Sequence, residues 1–147
     1  MDELVQYLRE CLANTFVMYF KAHQFHWNVE GPDFKQMHDF FGDFYEEVYG
    51  SIDKIAEQIR ALDAYTPGSF ERFIELSNIQ GEDRIISSRD MISQLLVDNK
   101  TYMYSLTIAY DLAEKDRQLG LANFIQDRLD QHKKHEWMLK SFLKVNK

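Results

Sequence analysis

Apolar side chains recur every three or four residues along the first part of the chain, which is the spacing of one face of an α-helix. The face consists of Leu4, Leu8, Leu12, Thr15, Phe16, Tyr19 and Phe20. This pattern predicts a helix over residues 2–29, and Asp2 and Glu3 suit its positive N-terminal end. The helix should stop at Glu30-Gly31-Pro32, because glycine permits a left-handed cap and proline cannot continue the hydrogen-bond ladder.

A second helix is predicted from Pro32-Asp33 to about residue 64, since proline is acceptable in a first helical turn. Its periodic face is formed by Phe34, Met37, Phe41, Phe44, Tyr45, Val48, Ile52, Ile55, Ala56 and Ile59. The turn-rich stretch 65–69 then breaks the pattern. Further along, we expect a short helix at 70–76, a long helix at 89–115 capped by Ser87 or Ser88, a turn at 116–120, and a last helix at 121–143.

Four long helices and one short helix predict an all-α fold. The long link between the second and third long helices, which carries the short one, allows the crossover that is typical of a ferritin-like four-helix bundle. A chain of 147 residues is the usual size of one domain, so we expect a single domain spanning residues 1–147.

The chain is acidic, with 24 Asp and Glu against 17 Lys and Arg and a net charge of −7. Such a surface attracts cations and differs from the basic surface of a typical DNA-binding domain. We find no apolar run of membrane-spanning length, and the first residues lack the basic and apolar segments of a signal peptide. The single cysteine, Cys11, excludes an internal disulfide and fits a core position in a reducing compartment, so we expect a cytoplasmic protein.

Two pairs of potential metal ligands lie on the first two helices. His26 and His38 flank the Gly-Pro corner, so both imidazoles can reach the same end of the bundle. Asp53 and Glu57 are four residues apart and share a helix face beside the apolar stripe. Two histidines with two carboxylates favour Fe(II), Mn(II) or Zn(II) over Ca²⁺. Taken alone, the acid pair also fits an ordinary solvated helix face, and the histidines also fit ordinary positions near a helix end.

The distance between the two pairs decides how they could combine. His38 and Asp53 are separated by 15 positions on one predicted helix, or about 22 Å along its axis. One chain cannot easily bring both pairs to one ion, whereas two antiparallel copies could. A di-iron site inside the bundle is not expected, because such sites use Glu-x-x-His pairs and no histidine here has Glu three positions before it.

The stretch Phe25-His26-Trp27-Asn28-Val29-Glu30-Gly31-Pro32 resembles the signature of the Dps family, the mini-ferritins known as DNA-binding proteins from starved cells. The resemblance continues through Phe34, His38, Tyr45, Asp53, Ile55-Ala56-Glu57 and the late stretch His135-Glu136-Trp137-Met138-Leu139. It implies a hollow dodecamer that oxidises Fe(II), usually with hydrogen peroxide, and stores ferric oxide. It also implies a catalytic metal site between two subunits, with His26 and His38 from one and Asp53 and Glu57 from the other.

The chain departs from this family at Gly42, where an Asp is common one turn after the second histidine. The second metal position could be weak, filled by water, or completed by His23, His132 or His135. For His132 and His135 a surface or interface position near a helix end is the more ordinary expectation. Trp27 is expected beside the site, either packing or donating an electron; Tyr45 and Tyr49 are further candidates for the latter role.

Two alternatives to iron oxidation stay open. The first is a DNA-compacting shell with weak oxidase activity, for which the chain offers only a modest basic end at Lys140, Lys144 and Lys147, so we do not expect DNA binding. The second is a shell whose degenerate site holds zinc, which Gly42 favours. Family pores are lined by acids near the start of the last helix, where Glu114, Asp116 and Asp127 are either pore residues or solvated charges.

Overall fold

The computed structural model describes residues 1–144, and that part of the chain forms five helices and no strand. The helices are α1 (Asp2–Asn28), α2 (Phe34–Ala61), α3 (Phe70–Leu76), α4 (Ser88–Lys115) and α5 (Leu119–Leu143). The predicted all-α bundle is therefore confirmed, with α3 as the short extra helix in the long connection between the second and third long helices.

The apolar faces predicted from the sequence form the bundle core. Helix α1 packs against α2, α3 and α4, and α4 packs against α5. The largest fully buried side chains come from all four long helices: Leu4, Leu12, Met18, Phe25, Phe41, Phe44, Ile59, Met91, Ile92, Leu95, Tyr102 and Ile125. Each such apolar side chain contributes about 1.5–3 kcal/mol by leaving water, so this interior is the main source of stability.

Local backbone geometry sets the helix ends. Gly31 has φ 119°, a left-handed value that glycine adopts readily, and it turns the chain between α1 and α2. Helix α2 ends at Ala61 rather than near residue 64, because Asp63 takes φ 61° and the Ala64 N–H bonds back to the Ile59 carbonyl. The Ser87 side chain caps α4 by accepting from the Asp90 N–H at 3.1 Å.

Buried polar groups of α1 anchor the segment that follows α3. The Asn14 side-chain oxygen accepts from the Asn78 N–H at 2.7 Å and from the Ser77 hydroxyl at 2.9 Å. Lys21 donates to the Gln80 carbonyl at 3.0 Å and forms a 2.8 Å ion pair with Asp98 on α4. The connection is thus held against α1 by hydrogen bonds as well as by apolar contacts.

Cys11 lies in the core, as predicted, with 1% of its surface exposed. Burial raises the pKa of its thiol to about 12, although a hydrogen bond to Ser105 acts in the opposite direction. None of the described helices is long and apolar enough to cross a membrane.

Candidate metal centre

The two predicted histidine ligands meet at the corner between α1 and α2. The rings of His26 and His38 stack with centroids 3.8 Å apart and an angle of 16° between their planes. Phe34 stacks on His38 at 5.1 Å, so the imidazole pair continues into an aromatic side chain. Both histidines are partly exposed, which leaves the pair accessible from outside the chain.

A reciprocal pair of hydrogen bonds orients the two imidazoles. Nδ1 of His26 lies 2.7 Å from the His38 carbonyl, and Nδ1 of His38 lies 2.7 Å from the His26 carbonyl. A carbonyl oxygen only accepts, so each Nδ1 must carry the proton and donate. In the neutral imidazoles each Nε2 is therefore left with a lone pair, which is the usual arrangement of a metal-binding histidine.

Gly42 explains how His26 fits at this corner. A Cβ atom at this position would lie 3.1 Å from both Nδ1 and Cε1 of the His26 ring. The aspartate that the family commonly carries here would need His26 to move. The imidazole thus occupies space that a side chain would fill, and the absence of this acid is coupled to the position of His26.

Of the three residues considered for completing the site, only His23 lies beside the histidine pair. Its ring centroid is 6.2 Å from that of His26, it stacks on Tyr45 at 3.8 Å, and it packs at a tilt of 40° against Trp27 at 4.2 Å. The Tyr19 hydroxyl contacts its Nδ1 at 3.0 Å. Burial, and then the neighbouring His26, lower the pKa of His23, which favours the neutral imidazole that binds metals.

Asp53 and Glu57 form a separate acidic pair. Both are exposed on the same face of α2, and a hydrogen bond to Asp53, followed by its negative charge, raises the pKa of Glu57. Two carboxyl groups this close repel each other when both are ionised, and a bound cation would relieve that repulsion. Because α2 is continuous from Phe34 to Ala61, Asp53 remains about 22 Å along the axis from His38 in the same chain, and Glu57 lies about one turn further away.

An exposed apolar surface lies near the histidine corner. Phe20, Trp27 and Tyr49 are each at least half exposed, and Phe20 contacts Trp27 edge to face at 6.2 Å. Beside them, a groove of 910 Å³ between α1 and the α3 segment is lined largely by apolar side chains, including Phe70, Phe73 and Ile74. An apolar patch of this kind is typical of a protein–protein contact surface.

His132 and His135 are not surface residues of the chain, so that expectation was wrong. They are 0% and 5% exposed and lie inside the bundle. Every residue in the series Leu121, Ile125, Arg128, His132, His135 and Leu139 is buried. Their spacing alternates between four and three, which marks the core-facing stripe of a helix. That spacing was the signal that could have predicted their burial from the sequence.

Glu47, absent from the sequence-based site, joins these histidines. It accepts two hydrogen bonds from Arg128, at 2.6 and 3.0 Å, and one from His135 Nε2 at 2.8 Å. Burial raises the pKa of Glu47, but the hydrogen bonds from His135 and Arg128 outweigh it and bring the value to about 2. Burial, and then the charge of Arg128, lower the pKa of His132, so the network combines a carboxylate, a guanidinium and a neutral imidazole.

The acids considered as pore residues lie on the α4–α5 side of the molecule. Glu114 is in the last turn of α4, Asp116 is the residue after that helix, and Asp127 lies on α5. The Asp116 carboxylate is 3.1 Å from the Met1 amino group. A pore would require several copies of the chain, so its lining stays a prediction. Of the basic residues near the end of the chain, Lys140 pairs with Glu136 at 3.2 Å, and Lys147 lies outside the described residues.

Comparison with known proteins agrees with this architecture. Residues 5–147 match the ferritin-like domain. The DNA protection during starvation protein of Brevibacillus brevis is 31% identical over 136 residues, covering 92% of this chain and 91% of that protein. The crystal structure of Dps from Staphylococcus aureus is 28% identical, with a TM-score of 0.95 over 99% of this chain and 98% of that one.

A second solved structure connects the fold to metal chemistry. Dps from Vibrio cholerae, described as a member of a broad superfamily of ferritin-like diiron-carboxylate proteins, superposes with a TM-score of 0.94 at 26% identity. The match covers 97% of this chain and 90% of that one. Fold, helix order and sequence all agree, and the chain belongs to the Dps family of ferritin-like proteins.

Proposed function

We propose that this protein is an iron-storage and detoxification mini-ferritin that oxidises Fe(II) at a site shared by two subunits. His26 and His38 of one copy would bind the ion together with Asp53 and Glu57 of its partner. The observation that carries the proposal is the pair of Nδ1–carbonyl hydrogen bonds, which leaves both Nε2 atoms as lone-pair donors at an exposed corner. An imidazole pair built in this way suits a metal ion better than a purely structural contact.

The acidic pair supports a shared site. Asp53 and Glu57 lie close enough for one to raise the pKa of the other, yet they face solvent in the single chain. The exposed apolar groove by Phe70, Phe73 and Ile74 would be covered by a second copy. In an antiparallel pair related by a twofold axis, the same contact occurs twice, so each pair of chains would form two sites.

The chemistry of the donors suits the substrate. Two neutral nitrogens and two carboxylates bind Fe(II), and the carboxylate charge stabilises Fe(III) more strongly than Fe(II). Two Fe(II) ions would each give one electron to hydrogen peroxide, whose O–O bond breaks and which takes up two protons to form two waters. This two-electron use of peroxide avoids release of hydroxyl radical. Ferric ions would then hydrolyse and accumulate inside a hollow homo-oligomeric shell, a dodecamer by resemblance to the family.

The test follows Fe(II) oxidation by stopped flow, with anaerobic loading of the assembled protein before peroxide is added. His38→Ala and Asp53→Asn should each remove the fast rise in ferric absorbance while the particle mass is unchanged. Asp39→Asn is the matched control, since Asp39 is an exposed acid on the same helix and pairs with Lys35. Normal fast kinetics in both site variants would refute the assignment.

Mixing the two inactive variants tests whether the site is shared. When dissociated His38→Ala and Asp53→Asn chains reassemble at random, half of the twofold pairs contain one chain of each kind. Each mixed pair has one intact site, so about a quarter of the fast-phase amplitude should return. A site formed within one chain would give no recovery at all.

Zinc is the competing occupant, because the same donor set suits Zn²⁺ and zinc carries out no redox chemistry. If the site holds zinc for structural purposes, the isolated protein would retain it and oxidise iron slowly. X-ray fluorescence or anomalous scattering at the iron and zinc edges after Fe(II) loading distinguishes the two cases. Iron at the site with fast oxidation would support the proposal.

A further inference from the structure

The cluster of the half-buried Glu47 and the buried His132 and His135 has the composition of a metal site but is not part of the proposed oxidation centre. One ligand atom from each of the three residues lies within 4.8 Å of the other two. Two imidazoles and one carboxylate are a common ligand set for Zn²⁺ and other borderline divalent ions. It is the only set of three or more such ligands among residues 1–144.

A protein cation already bridges two members of this cluster. The Arg128 guanidinium donates to both Glu47 oxygens, at 2.6 and 3.0 Å, and approaches His132 Nε2 to 2.6 Å. His132 Nδ1 contacts the Asn99 side-chain oxygen at 2.8 Å and must donate to it, so its Nε2 lone pair points towards the guanidinium. Two of the three candidate ligands, the Glu47 carboxylate and His132 Nε2, therefore converge on Arg128, while His135 Nε2 donates to Glu47 at 2.8 Å.

The cluster is also within reach of solvent. A pocket of 420 Å³ between α2 and α5 is lined by Glu47 and Arg128 together with the acids Glu46 and Asp127 and the base Lys54. Gly50 borders the same pocket, and among the described residues nothing beyond its own stretch of helix lies within 4 Å of where its Cβ would be. A divalent cation could enter by this pocket and reach Glu47 without unfolding the bundle.

We propose that Glu47, His132 and His135 form a second, latent binding site for a borderline divalent cation, which the Arg128 guanidinium fills in place of a metal. The protein as it stands should bind no ion there, because a positive charge holds the position and the acceptors are already satisfied. Removal of Arg128 should take away two of the hydrogen bonds to the half-buried Glu47 carboxylate and leave the His132 Nε2 lone pair without its guanidinium partner. A metal ion would then replace the guanidinium, with the proton on His135 Nε2 moving to Nδ1 or to solvent, and would bring each ligand atom to about 2.0–2.2 Å from the ion.

The experiment titrates Co²⁺ into the assembled wild type, Arg128→Ala and Arg128→Lys, and records visible d–d absorption and binding stoichiometry. Arg128→Ala should bind one more ion per chain than the wild type, and its lowered melting temperature should recover when the ion binds. Arg128→Lys keeps a cation in the cluster and should match the wild type. The additional ion should persist in Arg128→Ala/His38→Ala and disappear in Arg128→Ala/His132→Ala, which separates this cluster from the proposed oxidation site.

Arg128→Gln covers the case in which truncation to alanine prevents folding, because an amide retains a polar partner for Glu47 while removing the charge. Folding of either variant that depends on Co²⁺ and on His132 would support the latent site. Failure of both variants to bind the additional ion would overturn it, as would an additional ion that survives the His132→Ala change.

Discussion

Gly42 and His26 are packed so closely that a single added methyl group at Gly42 would lie 3.1 Å from two atoms of the imidazole ring. The His26 ring also stacks on His38 and is tied to its carbonyl, so it has little freedom to move aside. A glycine in mid-helix usually weakens the helix by about 0.5–1 kcal/mol relative to alanine. Here that weakness makes room for a candidate ligand.

Gly42→Ala should therefore slow the fast phase of iron oxidation and weaken Fe(II) binding, because His26 must shift from its stacked position. Gly50→Ala is the control on the same helix, since in residues 1–144 its Cβ would meet nothing within 4 Å beyond its own stretch of helix. Gly50→Ala should raise the free energy of unfolding by about 0.5–1 kcal/mol and leave oxidation unchanged. Gly42→Ala should raise the free energy of unfolding by less, because crowding between the added methyl group and the His26 ring offsets the higher helix propensity of alanine. Stopped-flow kinetics and urea unfolding measure both effects, and equal behaviour of the two variants would contradict this account.

Glu47 should make the protein sensitive to acid. Its pKa falls from 4.5 to about 2 in the folded chain, so it binds fewer protons when folded than when unfolded. Ionised Glu47 therefore contributes about 2–3 kcal/mol to the free energy of unfolding. This contribution is fully present above about pH 4.5 and is lost as the pH falls towards 2. Glu47→Gln should flatten the stability profile over this interval. Urea unfolding at a series of pH values measures this, and an unchanged slope in the variant would argue against the ion pair.

The ion pair between Lys21 and Asp98 should be important for anchoring the long connection. Both side chains are largely buried, at 6% and 11% exposure, and Lys21 also holds the Gln80 carbonyl. Lys21→Met would leave a buried carboxylate unpaired and should lower the free energy of unfolding by about 3–5 kcal/mol. The double variant Lys21→Met/Asp98→Asn should lose less free energy of unfolding than the two single variants lose in total. Strict additivity in a double-mutant cycle would show that the pair is not coupled.

Cys11 should be inert in the folded protein. Burial raises the pKa of its thiol to about 12, so almost none is thiolate near neutral pH. A thiol-reactive disulfide reagent at pH 8 should label the native protein only at the rate of unfolding, and should label the denatured chain at once. Rapid labelling of the native protein would place Cys11 outside the core.

DNA binding should be weak. The chain has a net charge of −7, and near its C-terminal end Lys140 is paired with Glu136. Affinity for duplex DNA depends on the number of phosphates that basic side chains neutralise. A gel-shift titration should show little complex at low salt and none at moderate salt. A stable complex at moderate salt would favour the DNA-compacting alternative.

Several features follow from local sequence alone. The apolar spacing and the breaks at Gly31-Pro32 and residues 65–69 predicted all five helices, because helix formation and termination depend on near neighbours. The continuity of α2 also determined that His38 and Asp53 are far apart in one chain, since helix rise is constant. The helix end at Ala61 was missed, because a left-handed Asp63 is rare without a glycine to indicate it.

Only the tertiary structure decided how polar side chains are satisfied. His132 and His135 are buried because Glu47 and Asn99, which lie 33 to 88 residues away in the sequence, supply their hydrogen-bond partners. Likewise, the space above Gly42 and the proton positions on His26 and His38 arise from contacts across the α1–α2 corner. Periodicity specifies which side of a helix faces inward. The partner that makes a buried charge or imidazole tolerable comes from another helix, and it is known only when the helices are packed.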